Sequence, residues 1–166
     1  MKSYLLGIDI GTSACKVAVF DRNGKVLAAA SGDYPVYYPH EGWAEQNPEE
    51  WWDAVCRATK ETIQKADITA DEIAGIGIDG QSWSAIPIDR EGNVLANTPI
   101  WMDTRAQSIC DRLNQEIGQE EIFEVAGNSL QLLILLQRSS GIKKIFRRYM
   151  QKSTKSFSPT ATLHLN

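Results

Sequence analysis

Residues 6–21 read LGIDIGTSACKVAVFD, and this stretch determines how the predicted fold begins. A short apolar run over 4–10 ends at Gly11, and apolar side chains then alternate with others over 15–20. Both patterns are typical of β-strands. A third run over 25–30 follows an Asn-Gly turn, which is a strong hairpin signal. The sequence therefore predicts an antiparallel meander of three strands.

A helix is predicted after the meander. Asn47 is a favourable N-cap, Pro48 occupies the first helical position, and Glu50 stands where a capping box needs an acidic residue. An amphipathic helix buries its apolar face, so this face is expected to pack on the sheet. The residues at helical spacing that define the predicted face are Trp52, Val55, Cys56, Thr59 and Ile63.

The remaining apolar segments predict an α/β domain. Residues 73–78 suit a buried strand that lies beside the first strand. A second meander is expected from the runs over 83–88 and 94–95, and a helix is predicted from about residue 104 to 117, where Gly118 ends it. Helices that alternate with strands of a mixed sheet are typical of the α/β class.

Charge divides the chain near Gln131. Residues 1–131 carry 10 Lys and Arg against 21 Asp and Glu, whereas residues 132–166 carry 7 basic side chains and no acidic one. We therefore predict a domain over 1–131 and a basic, atypical tail over 132–166 that is non-native or poorly ordered. Binding of this tail to a membrane or a nucleic acid is the alternative, and it is disfavoured because the tail lacks an aromatic ladder.

The sequence also bears on compartment and on metal sites. No stretch of 18 apolar residues occurs, and the N-terminus lacks the apolar run and cleavage site of a secretory signal. We expect a cytoplasmic protein without a membrane or nucleic-acid partner. Three cysteines have no second ligand at metal spacing. They are expected to be buried thiols: Cys15, Cys56 and Cys110.

Residues that can carry chemistry cluster around the turn after the first strand. Gly11 lets the backbone approach a phosphate, and the hydroxyls of Thr12 and Ser13 add hydrogen-bond donors. Lys16 supplies positive charge, and Asp9 suits Mg²⁺ because this hard cation prefers oxygen ligands. A hairpin turn without any ligand explains the same glycine and hydroxyls. Taken alone, this segment leaves both interpretations open.

Four separated blocks carry a resemblance to a known family. They read LGIDIGTSACKVAVFD, PHEGWAEQNPEEWW, IAGIGIDGQSW and TPIWMDTRA. Over residues 4 to about 130 the chain resembles the N-terminal domain of the FGGY carbohydrate kinases, nearest to the xylulose kinase branch. The resemblance implies an actin-like, ribonuclease-H-like domain with a mixed sheet flanked by helices, the first of the family's two domains.

The resemblance also implies a function, the ATP-dependent phosphorylation of a hydroxyl group on a sugar or polyol, with ATP and Mg²⁺ as cofactors. Binding of the nucleotide phosphates is implied for Asp9, Gly11, Thr12, Ser13 and Lys16, with Asp9 at the metal. Binding of the small-molecule sugar or polyol is implied for Gln81, Ser82, Trp83, Trp101 and Asp103.

In this family the general base lies in the second domain, so the resemblance implies no catalytic residue in this chain and doubtful activity for the truncated chain alone. A separate chain that carries the C-terminal domain is one expected partner. A non-catalytic sugar- or phosphate-binding module is the alternative. Residues 80–84 read Gly-Gln-Ser-Trp-Ser where xylulose kinases usually have Gly-Gln-Met-His-Gly, so the identity of the sugar stays open.

Overall fold

A computed structural model describes residues 3–82, 84 and 86–127 of the chain. The strands are β1 (Tyr4–Ile10), β2 (Ala14–Phe20), β3 (Val26–Asp33), β4 (Glu45–Gln46), β5 (Ile73–Gly80) and β6 (Thr98–Pro99). The helices are α1 (Pro48–Lys65), α2 (Gln107–Ile117) and α3 (Gln119–Ala126), with a 3-10 turn over Ala70–Glu72. The predicted boundary near Gln131 and the tail over 132–166 lie outside the described residues.

The main sheet has the strand order β3-β2-β1-β5. Strands β1, β2 and β3 pair antiparallel in sequence order, which confirms the predicted meander. Strand β5 pairs parallel to β1, so the sheet is mixed, as predicted. Strands β4 and β6 form a separate two-stranded sheet. The predicted α/β class is confirmed.

Helix α1 packs on one face of the sheet through smaller residues than we predicted. Its buried side chains include Ala54, Val55 and Ala58, whereas Trp52 is 67% exposed. A Cβ added to Gly32 on β3 would lie 3.1 Å from the Cα, Cβ and backbone oxygen of Ala54. Because the helix comes this close to the strand, only small side chains fit between them. The predicted inner face was therefore wrong at Trp52 and at Cys56, which is also exposed.

The N-terminus of α1 is capped as predicted, although the capping box does not form. The side chain of Asn47 accepts a hydrogen bond of 3.0 Å from the backbone N–H of Glu49. Glu50 instead accepts a hydrogen bond of 2.8 Å from the hydroxyl of Tyr37, at its Oε1 atom. Glu50 is thus bonded to Tyr37, outside the helix, instead of to the backbone N–H of Asn47. The sequence pattern of the helix alone does not reveal this partner.

Strand β5 is much less buried than predicted. Ile76 is 61% exposed and Ile78 is 71% exposed. Their register partners on β1 are Leu6 and Ile8, which are buried beneath α1. Helix α1 packs chiefly on β2 and β3, so its cover ends before β5. Within the described residues, this apolar edge of the sheet has no covering layer.

The second meander is shorter than predicted. Among its described residues one antiparallel bridge forms, between Ile88 and Val94, and the backbone N–H of Leu95 donates to the carbonyl of Pro87. Proline has no N–H to extend a ladder, which limits pairing there. Helix α2 begins at Gln107, later than predicted, and ends before Gly118, as predicted.

The three thiols differ in accessibility, which gives a first prediction. Burial raises the pKa of Cys15 and of Cys110, and the charges of Asp9 and Asp111 act in the same direction. Cys56 is exposed, contrary to the prediction. We expect iodoacetamide to modify Cys56 at least about tenfold faster than the other two, because thiolate and access both control the rate. Peptide mass spectrometry over a time course measures this, and equal rates at Cys15 and Cys56 would contradict it.

Candidate functional site

The turn between β1 and β2 is held by side chains from three other segments. The hydroxyl of Tyr34 donates to the carbonyl of Gly11. The amide Nε2 of Gln46 donates to the carbonyl of Thr12 at 2.7 Å. The indole Nε1 of Trp101 donates to the Thr12 hydroxyl oxygen at 2.8 Å. The predicted phosphate-binding turn is therefore oriented at two successive carbonyls and at one hydroxyl.

Tyr34 carries its phenolic proton at neutral pH and is therefore the donor in its hydrogen bond to Gly11. Burial raises the pKa of this phenol to about 12, and nearby negative charge at Cys15 and Asp9 adds to the effect. Its proton therefore stays on the oxygen that faces Gly11. A Cβ at residue 11 would lie 3.2 Å from the carbonyl oxygen of Ala14, so glycine suits this tight turn.

Asp9 lies in a row of charged residues on the sheet face opposite α1. Its register partners are Lys16 on β2 and Asp79 on β5. Paired residues on neighbouring strands present their side chains to the same face, and Leu6 and Ile8 occupy the other face with α1. All three charged residues line an open concavity of about 950 Å³, and Glu61 and Lys65 near the end of α1 also contribute to its lining. Sequence reasoning missed Asp79, although its adjacency follows from pairing β5 beside β1.

The surroundings of Asp9 fit a magnesium ion that is bound together with phosphates. Within residues 3–127, as far as they are described, no three His, Cys, Asp or Glu side chains converge as a metal cluster. Mg²⁺ at a nucleotide uses one or two carboxylates, since phosphates and waters complete its shell. The Oδ1 atom of Asp9 lies 4.0 Å from where a Cβ on Gly11 would stand. Glycine thus leaves space between the carboxylate and the turn.

The predicted sugar segment meets the turn through Gln81. The backbone N–H of Gln81 donates to the carbonyl of Ile10 at 2.8 Å, which extends the β1–β5 pairing by one residue. Its side-chain Nε2 donates to Oε1 of Gln46 at 2.8 Å. Ser82 is exposed at the same strand end. Trp83 lies outside the described residues, so its predicted sugar contact stays a prediction.

Asp103 is enclosed by protein donors. Its side chain is 3% exposed. It accepts hydrogen bonds from the backbone N–H of Ala44 at 2.9 Å and from Nη2 of Arg105 at 2.7 Å. Burial alone would raise the pKa of Asp103, but the hydrogen bonds from Arg105 and Ala44 outweigh it and lower the pKa. The structure thus gives Asp103 a structural role, and the predicted sugar contact stays a prediction.

Arg105 connects the loop that carries Trp101 to β4. Its Nη2 atom lies 2.6 Å from Oε1 of Glu45. Its guanidinium carbon lies 3.7 Å from the ring centroid of Trp43, which is the geometry of a cation–π contact. This clamp joins residues that are far apart in sequence, so sequence reasoning missed it. A hint in the sequence was that Trp43 and Glu45 lie in the block PHEGWAEQNPEEWW and Arg105 lies in the block TPIWMDTRA, both of which carry the family resemblance.

Comparison with known proteins identifies the family. Residues 4–149 match the N-terminal domain of the FGGY family of carbohydrate kinases. The chain belongs to this family. The match extends past Gln131, and the composition boundary there stays a prediction.

No helix in the described part of this FGGY chain combines the length and the apolar character that spanning a membrane requires.

The relatives of this FGGY chain include kinases of different substrates. It is 39% identical over 124 residues to the glycerol kinase of Rhizobium meliloti (strain 1021), and 35% identical over 125 residues to the xylulose kinase of Bacillus subtilis (strain 168). These matches cover 74% and 75% of this chain and 25% of each relative. The chain therefore spans about a quarter of the length of the curated relatives it matches.

Solved structures confirm the predicted fold class. The structure of ligand-bound xylulose kinase from Lactobacillus acidophilus aligns with a TM-score of 0.69 and 31% identity, over 75% of this chain and 25% of that one. A structure described as xyloylose kinase from Brucella ovis aligns with a TM-score of 0.69 and 32% identity, over 76% of this chain and 26% of that one. The FGGY chain thus has the actin-like, ribonuclease-H-like fold of the family's N-terminal part.

Proposed function

We propose that this chain supplies the N-terminal part of an ATP-dependent kinase that phosphorylates a hydroxyl group of a sugar or polyol. The observation that carries the proposal is the 2.8 Å hydrogen bond from Trp101 to the Thr12 hydroxyl. It joins a residue of the predicted sugar site directly to the predicted phosphate turn. Membership of the FGGY family supports the same class of reaction.

The polarity of this hydrogen bond suits an anionic ligand. An indole N–H can only donate, so the Thr12 hydroxyl accepts from Trp101 and its own proton is available for donation. Ser13 and Lys16 are exposed beside it, which adds a hydroxyl and a positive charge. We propose ATP as the phosphoryl donor and Asp9 as the residue that holds Mg²⁺. When bound, the ion neutralises charge on the transferring phosphate.

The sugar side of the site is built on Trp101 and Gln81. Trp101 is 52% exposed, and its N–H is held by Thr12, so its ring offers a fixed aromatic surface. Such a surface suits the apolar C–H face of a small polyhydroxylated molecule. Ser82 adds an exposed hydroxyl. Relatives named for xylulose and for glycerol make ketoses and polyols the substrate classes to test.

We further propose that the 166-residue polypeptide binds sugar weakly and shows little or no turnover by itself. Phosphoryl transfer needs charge stabilisation from both sides of the γ-phosphate, and the family resemblance assigns the general base to the second domain. Another chain with that domain would complete the site. Turnover of a pentulose by the purified polypeptide at about 1–100 per second would contradict this part of the proposal.

Calorimetric titration with xylulose, xylitol and glycerol tests the sugar site. We expect at most millimolar affinity, on the order of −4 kcal/mol. Replacing Trp101 with alanine should weaken it at least about tenfold, because ring contact and the orientation of Thr12 are lost together. Trp52→Ala is the matched control, since Trp52 is exposed on α1. If wild-type protein bound none of these sugars, or if Trp101→Ala bound as well as wild type, the proposed function would be wrong.

The alternative from the sequence, a non-catalytic binding module, predicts a different outcome. It requires sugar binding that is never followed by phosphorylation, even when the C-terminal domain of an FGGY relative is supplied in excess. Sugar-dependent release of ADP in that mixture, and its loss in Asp9→Asn, would favour the kinase. Binding without ADP release would favour the module.

A further inference from the structure

The two halves of the proposed site are joined by one buried glutamine. Gln46 is completely buried on β4. Its Nε2 atom donates to the carbonyl oxygens of Thr12 at 2.7 Å and Pro35 at 3.2 Å. Its Oε1 atom accepts from Nε1 of Trp51 at 3.1 Å and from Nε2 of Gln81 at 2.8 Å. A primary amide has two donor hydrogens and two acceptor lone pairs, so Gln46 is fully satisfied.

The orientation of the Gln46 amide follows from the chemistry of its partners. The backbone oxygens of Thr12 and Pro35 can only accept, so the Gln46 atom beside them has to be the nitrogen. The indole N–H of Trp51 can only donate, so the other atom has to be the oxygen. Three partners therefore agree on one orientation, and the reverse orientation would break all three hydrogen bonds.

The same reasoning determines the orientation of the side-chain amide of Gln81. The atom of Gln81 that meets the oxygen of Gln46 has to be a donor, which makes it Nε2. The other end of this amide, the carbonyl oxygen Oε1 of Gln81, therefore does not take part in the hydrogen bond to Gln46. This oxygen is enclosed, and it has no hydrogen-bond partner among the described residues. An enclosed acceptor without a donor is costly in a folded protein, so a ligand hydroxyl that displaced the atoms covering this oxygen and donated to it would bind favourably.

We propose that Gln46 is a positioning residue that fixes the hydrogen-bond polarity of Gln81, so that Gln81 accepts a hydrogen bond from a hydroxyl group of the ligand. The identity of the ligand rests on the proposed function, whereas the orientation of Gln81 does not. The polarity selects a hydroxyl at this position over a carbonyl or an ether, since these groups cannot donate. The preference for a hydroxyl depends on the predicted phosphate turn, because the Thr12 carbonyl orients Gln46 and Gln46 in turn orients Gln81.

Side-chain amide exchange tests the positioning without any ligand. In ¹⁵N-labelled protein, we expect the Gln81 NH₂ group to exchange at least about tenfold more slowly than that of exposed Gln64. Gln46→Leu should abolish the difference, and Trp51→Phe should preserve it because the two carbonyls still orient Gln46. Fast exchange of Gln81 in wild-type protein, or protection that survives Gln46→Leu, would overturn the inference. Gln64→Leu is the matched control, and in that variant the slow exchange of Gln81 is compared with exposed Gln115 instead.

A second variant covers the case in which Gln46→Leu does not fold. Gln46→Glu has nearly the same shape, and burial beside two carbonyl oxygens favours its protonated form. It therefore retains an oxygen that accepts from Gln81 and loses one of the two donors to the Thr12 and Pro35 carbonyls. It should therefore keep slow exchange at Gln81 while the backbone amide resonance of Thr12 shifts. Fast exchange at Gln81 together with an unshifted Thr12 resonance would contradict the proposal that Gln46 joins Thr12 to Gln81 through hydrogen bonds.

Deoxyfluoro analogues of the best-binding sugar test the polarity, because fluorine replaces a hydroxyl without being able to donate. One analogue should bind wild-type protein about fivefold to tenfold more weakly than the parent sugar. In Gln46→Leu the penalty should fall below about twofold, since a released Gln81 can turn its NH₂ toward the fluorine. Equal penalties in both proteins would overturn the inference. If no sugar bound wild-type protein, the proposed function would fail, and amide exchange alone would decide the positioning by Gln46.

Discussion

Replacing Asp103 with alanine will lower the free energy of unfolding by about 2–4 kcal/mol. The carboxylate is 3% exposed, and its removal leaves the backbone N–H of Ala44 and the guanidinium of Arg105 without that partner. The lower end of the range allows for Arg105, which is 27% exposed and can recover some hydration. Urea unfolding followed by tryptophan fluorescence measures the change. A loss below about 1 kcal/mol, the level of surface ion pairs, would contradict the buried clamp.

The pH dependence of stability provides the control for this prediction. The pKa of Asp103 is lowered in the folded protein, so its contribution is fully present above the unfolded pKa of about 3.9. It is lost as the pH falls through the folded value. The stability difference between wild type and Asp103→Asn should therefore be constant from about pH 5 to 8 and shrink below about pH 4. A difference that grew toward acid would have the wrong sign.

Valine in place of Gly32 will destabilise the domain by about 2–3 kcal/mol. The added Cβ would lie 3.1 Å from three atoms of Ala54, two of which belong to the helix backbone and cannot rotate away. Helix α1 would have to move off the sheet, which would open the packing of Ala58 and its neighbours. The thermal midpoint of unfolding is the measurement, and we expect a fall of several degrees.

Gly77→Val is the matched control for Gly32→Val. A Cβ at Gly77 on β5 would meet no described atom within 4 Å, and valine favours strands, so the midpoint should be unchanged or higher. Equal destabilisation by both substitutions would show that loss of glycine, rather than contact with Ala54, is responsible. Because α1 begins two residues after Gln46, its displacement in Gly32→Val should also weaken sugar binding.

Local patterns were sufficient for the parts of the fold whose causes lie within a few residues. The alternation over 15–20 and the following Asn-Gly turn predicted the meander, since pleat and turn geometry depend on neighbours along the chain. Asn47 and Pro48 predicted the start of α1 for the same reason. The four blocks also identified the FGGY family and the turn around Thr12, because the residues that carry the resemblance are contiguous within each block.

Local sequence patterns could not predict contacts between residues that are far apart along the chain. The inner face of α1 was decided by Gly32, whose missing side chain lets Ala54 approach, and not by the largest apolar residues of the helix. Gln46 reads as an ordinary polar residue, yet its partner Thr12 is 34 residues away. Trp101 meets Thr12 across 89 residues, and Asp103 meets Ala44 across 59. Hydrogen bonds and close packing depend on distance in space, which only the tertiary structure of this chain sets.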